Sequence, residues 1–157
     1  MKAPTWILSL LSILIGLSAW AQDKNIDELQ AQVHVNIFGD ACLKTGTNFT
    51  GAKDIFERSG LKRSAERTWV SQGGIGAASI IKKGEKMACL VSAMASSHAA
   101  FVPKMSATLD RLFPGDWQLG SAKGKPVVRI KTDAGYLFVQ ILPVRKGRVT
   151  MIAEYKH

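Results

Sequence analysis

Two cysteines, Cys42 and Cys89, and three histidines, His34, His98 and His157, are the side chains of this sequence best suited to chemistry. A cysteine nucleophile needs a histidine base beside it, and Cys89 with His98 or His34 is the available pairing. Neither cysteine sits in a family-type catalytic signature. A zinc site asks for three or four ligands at clustered spacing, and these histidines are scattered. No C-x-x-C is present for thiol exchange. What remains is a covalent staple between the stretches "DACLKT" and "MACLVS". Such a bond closes a loop worth roughly 4 kcal/mol in the chain-entropy model.

Fragments of other catalytic motifs fail on order or context. Ser59-Gly60-Leu61-Lys62 and Ser79-Ile80-Ile81-Lys82 fit S-x-x-K, and Lys44-Thr45-Gly46 fits K-T-G. The K-T-G precedes the S-x-x-K instead of following it, S-D-N is absent, and the chain is short for that two-lobed architecture. Gly73-Gly74-Ile75-Gly76-Ala77-Ala78 is part of a dinucleotide fingerprint, but Ser79 stands in place of the third glycine. A β-branched stretch follows it where a long helix is needed. Asn48-Phe49-Thr50 is a glycosylation sequon only in a host that modifies such sites. No catalytic residue, metal ligand or cofactor is assigned from the sequence, which leans away from an enzyme.

The N-terminus carries the clearest signal. Lys2 precedes an apolar run from Trp6 to Trp20, and Ala19-Trp20-Ala21 supplies small residues for cleavage before Gln22. That is the layout of a secretory signal peptide over residues 1–21. The run is shorter than a spanning helix and holds serines, so no transmembrane segment is expected after cleavage. Export also suits the even number of cysteines, because the periplasm and the extracellular space oxidise thiols.

Cleavage leaves about 136 residues, enough for one domain with a real core. The full chain has a formal net charge of +9, of which the leader carries a single lysine. In an exported protein the surplus points to an acidic protein or an anionic envelope component. The basic residues are dispersed, with no stripe of stacking aromatics, so nucleic acid is not expected as a partner.

The elements follow from periodicity. Residues 22–35 form a polar N-terminal segment that reads as helix, with Asn25 as cap and Ile26, Leu29 and Val33 at helical spacing, as a loose lead-in without fixed structure, or as strand from Val33 to Ile37. A helix is predicted over 49–59, capped by Asn48 and stopped at Gly60, and another over 103–113 ending at Pro114-Gly115. Strands are predicted at 68–71, 74–81 and 87–94. A three-stranded meander follows at 126–132, 136–142 and 148–155. Residues 36–157 are therefore expected to form a single α+β domain, an antiparallel sheet of five to seven strands with two or three helices.

The middle strand of the meander carries the one functional clue. In "YLFVQIL" one face presents Leu137, Val139 and Ile141, which should meet a helix. The other presents Tyr136, Phe138, Gln140 and Leu142, where a sheet with helices on one side usually turns polar. Arg129, Lys131 and Arg148 are placed at the rim of that aromatic centre. These five residues, Tyr136, Phe138, Arg129, Lys131 and Arg148, are the candidate binding site. The expectation is an exported, disulfide-stapled binding module that engages a protein or an anionic envelope component, with a small-ligand or lipid carrier as the alternative and a hydrolase as the less favoured third reading.

Overall fold

A computed structural model describes residues 25–84 and 86–156. The leader expected at residues 1–21 lies outside the described residues.

Residues 25–38 are one continuous helix, α1, which runs directly into a π-helical turn at Gly39–Leu43. The alternation from Val33 to Ile37 is therefore helical, and the buried stripe is not the expected one. Asp27, Ala31, His34, Val35 and Phe38 are buried, whereas Ile26, Leu29 and Val33 are exposed, Leu29 at 62%. Both sets fall at helical spacing. The helix turns the larger Phe38 and the hydrogen-bonding Asp27 inward, because Asp27 has partners only on that side.

Two further helices follow, α2 at Ala52–Arg58 and α3 at Phe101–Leu112. Both lie within a few residues of expectation, although Asn48 does not cap α2. Gly51 is the capping residue, in a left-handed conformation and with no side-chain cap bond.

The strands are β1 Lys62–Ala65, β2 Thr68–Val70, β3 Gly76–Lys83, β4 Lys86–Met94, β5 Trp117–Ala122, β6 Lys125–Thr132, β7 Gly135–Arg145 and β8 Arg148–Lys156. The architecture is α+β. The sheet has eight strands, not five to seven, in the order β1-β2-β3-β4-β8-β7-β6-β5, with every pair of neighbours antiparallel. The two strands absent from the sequence expectation are the two edges. All four residues of β1 are exposed, as are five of the six in β5. Neither edge shows the alternation that marks a half-buried strand.

The helices cover one face of this sheet. Its inward residues include Trp69, Ala78, Cys89, Val91, Ile130, Leu137, Val139, Met151 and Ala153, all in one cluster with Phe38, Phe56, Phe101 and Leu109 from the helices. Cys89 lies between Ile80 and Ala153 in register. Ala153, the small neighbour on one side, leaves room for the turn after α1 to approach Cys89. Cys42 in that turn is bonded to Cys89, with Cα atoms 5.5 Å apart.

Three polar ties fix the helices to the sheet and to each other. Asp27 accepts from the Ser96 and Ser97 backbone after β4, Trp117 Nε1 in β5 donates to Asp110 Oδ1 in α3 at 3.0 Å, and Lys104 in α3 pairs with Glu28 in α1 at 3.0 Å. Among the described residues no helix is long and apolar enough to cross a membrane.

Candidate binding surface

On the face of the sheet that the helices leave bare, antiparallel register sets Lys131 opposite Tyr136 and Arg129 opposite Phe138. The strand period of two then directs all four side chains outward together. The rings of Tyr136 and Phe138 are 6.5 Å apart and tilted by 54°. The Arg129 guanidinium lies over the Tyr136 ring, 4.9 Å from its centroid, and its Nη2 donates to Gln118 Oε1 at 3.3 Å. Tyr136 remains 41% exposed and Phe138 is half-buried. A cation held on the face of a phenol ring is stabilised by the ring quadrupole and keeps its remaining donors available.

Two hollows border this cluster. One, of about 210 Å³, is lined by Asp116, Gln118, Arg129, Lys131 and Tyr136. The other, of about 420 Å³, lies between Lys123 and Lys125 of the β5–β6 turn and Phe138, Gln140, Ile152 and Glu154. The charged residues lining the two hollows are Lys123, Lys125, Arg129 and Lys131 against Asp116 and Glu154, so this surface is net positive. Lys123, Lys125, Asp116 and Glu154 were not among the sequence candidates. Nothing in the sequence marks β5, and without β5 the β5–β6 hairpin that carries Asp116, Lys123 and Lys125 has no place on the sheet, whereas Glu154 reaches the surface from β8 opposite Phe138.

Arg148 does not join the cluster. It lies opposite Met94 and Arg145 at the other end of the sheet, and its Nη2 donates to the carbonyl of Gly74. There it faces His34, which is buried in the α1 stripe with Nδ1 donating to the Gln30 carbonyl at 2.9 Å. Burial pushes the His34 imidazole below its ordinary 6.5, and the Arg148 charge pushes the same way against the Gln30 bond. The missing side chain of Gly76 makes room for the ring, since a Cβ there would collide with His34 Nε2. Arg148 and His34 thus serve the packing of α1 rather than an outward surface.

A third concavity, about 320 Å³, runs between α3 and the helix side of β5, β6 and β7. Val102, Met105 and Leu109 form its wall, Leu119, Val128 and Ile141 its floor, and the exposed His98 its mouth. Both cysteines are committed to the disulfide, and no group of three or more metal-ligating side chains occurs among the described residues.

The chain matches no protein-family model, no curated protein and no solved structure.

Proposed function

We propose that this protein is an exported binding module that engages an anionic protein or envelope component through the bare face of its sheet. The observation that carries this reading is the Arg129–Tyr136–Phe138 cluster with Lys131 beside it. It combines large ring area, low side-chain entropy and fixed positive charge, the properties that concentrate binding energy at interface hot spots. The disulfide is consistent with an oxidising compartment, and the leader predicted at residues 1–21 would take the chain there.

The test is capture from an envelope extract, repeated with vesicles of anionic and of zwitterionic phospholipid. Tyr136→Ala/Phe138→Ala should raise Kd about tenfold or more, and Arg129→Glu/Lys131→Glu should remove the salt dependence of binding. Melting is followed in parallel. A folded charge-reversed variant that holds the same partner with the same salt dependence would exclude this face.

The second reading, a carrier of a small apolar or lipid ligand, is favoured by the trough between α3 and β5–β7. Its volume falls within the range of ligand pockets and its lining is aliphatic. A fluorescent fatty acid displaced by ligand from wild type, and not bound by Met105→Trp, would support it.

A further inference from the structure

We infer that β5 is a self-complementary edge through which two copies of this chain pair, extending the sheet across a two-fold axis centred on Leu119.

The two edges of the sheet differ in chemistry. β1 is guarded in the way soluble proteins blunt a free edge: it carries Lys62 and Arg63 and has a bulge between Arg63 and Ala65. Arg63 also folds back to donate to the carbonyls of Ala65 and Glu66. β5 has none of these devices. Its sequence Trp-Gln-Leu-Gly-Ser-Ala holds no charge and no proline, and its register with β6 is unbroken. Leu119 at its middle is 71% exposed, the highest value among the exposed large hydrophobic residues of the described chain.

The hydrogen-bond phase of β5 shows which groups are free. Lys131 N–H donates to the Asp116 carbonyl at 2.9 Å, which makes Asp116 and Lys131 a bonded pair. At the other end Lys123 and Gly124 both have positive φ, the signature of a two-residue turn that closes on the pair Ala122 and Lys125. Bonded and non-bonded pairs alternate along an antiparallel ladder. Trp117, Leu119 and Ser121 therefore aim their N–H and C=O groups away from β6.

A second β5 running antiparallel satisfies all of these groups in one register. Leu119 faces Leu119 of the other copy, and Trp117 faces Ser121 in both directions. Each of these three pairs exchanges two main-chain bonds. The two leucines meet on the helix side, next to the apolar trough, and lose their exposure to water. Asp116 of each copy comes alongside Ala122 and Lys123 of the other, so unlike charges meet at both ends of the seam. A two-fold contact of this kind uses one patch twice.

The net positive charge of each copy opposes pairing over longer range, and salt screens it. Self-association should therefore strengthen with salt, the opposite of binding to an anionic partner.

The experiment is sedimentation of the mature chain at micromolar concentration across a salt series, with three variants. Wild type should show twice the monomer mass, more completely at high salt, and Leu119→Lys should stay monomeric with unchanged melting. Leu119→Cys should form a covalent dimer on oxidation, because a bonded antiparallel pair holds its Cα atoms about 5.5 Å apart, within disulfide reach. Gln118→Cys, displaced from its own copy by two residues, should not. A wild type that is monomeric at every salt concentration, with Leu119→Cys uncrosslinked, overturns the proposal. A dimer that survives Leu119→Lys overturns it equally, by placing the contact elsewhere.

Discussion

The carboxylate of Asp27 grips Ser96 at two points: Oδ1 accepts the Ser96 backbone N–H at 2.9 Å and Oδ2 accepts its hydroxyl at 2.8 Å. Oδ2 also takes the N–H of Ser97 at 2.9 Å, so one buried side chain satisfies three donors where the chain leaves β4 for α3. Asp27→Ala leaves these groups without their acceptor. Hydrogen bonds to a charged group contribute more than neutral ones, and a loss of about 2–4 kcal/mol is expected in urea unfolding. Asp27→Asn, which keeps one acceptor oxygen, should lose less. Equal stability of Asp27→Ala and wild type would mean that α1 does not depend on this contact.

The Cys42–Cys89 bond should contribute about 4 kcal/mol, from the loop it closes in the unfolded chain. Reductant, or Cys42→Ala with Cys89→Ala, should lower Tm by about 10–20 °C for a domain of this size. The Tm with and without reductant, measured by circular dichroism, checks this. Both cysteines are fully buried, so reduction should be slow until the fold opens.

Gly76 and His34 should be energetically coupled. Gly76→Ala forces a methyl group into the ring and should destabilise by more than about 2 kcal/mol. In a His34→Ala background the same methyl has space, so its cost should fall by at least half. A double-mutant cycle of unfolding free energies measures the difference. Simple additivity would show that the ring moves aside freely.

Stability should fall with acid through His34. In the fold, burial and the Arg148 charge hold its pKa below 6.5, while the unfolded chain takes up a proton at about the ordinary value. The neutral ring's contribution is therefore complete above 6.5. It is lost as pH drops from there toward the lowered folded value, where the unfolded state binds the extra proton. Unfolding curves at pH 7.5 and 5.5 should diverge more for wild type than for His34→Gln. Equal pH dependence in the two proteins would assign the acid sensitivity to other groups.

How much of this was legible in the sequence depended on burial. The strands expected at 126–132, 136–142 and 148–155 occur at β6, β7 and β8, because each alternates between a core face and a second face. The disulfide was legible because the sequence offers its two cysteines neither a catalytic signature nor clustered metal ligands. The edges β1 and β5 were not, since a strand wetted on both faces has no hydrophobic period to detect. The buried stripe of α1 was not, because helical spacing admits two faces and the choice rests on Ser96 and Ser97, about seventy residues away. The aromatic cluster followed from the alternation of β7 alone. Strand parity puts Arg148 on its rim, but its guanidinium lies at the far end, on Gly74.

The pairing of β4 with β8 also sets the order of events as the chain folds. Within β1–β4 and within β5–β8 every strand pairs with its immediate neighbour in sequence, so either half can grow by successive hairpins on a short timescale. Only β4 and β8 join the halves, bringing Cys89 opposite Ala153 across a span of about sixty residues. That closure is the long-range step and should limit the folding rate. Until it occurs, β4 and β8 each present one unpaired edge of an apolar strand to whatever chain is nearby. The disulfide lies wholly within the first half and cannot hasten it. The refolding chain is thus most prone to aggregate late, after most of its hairpins have formed.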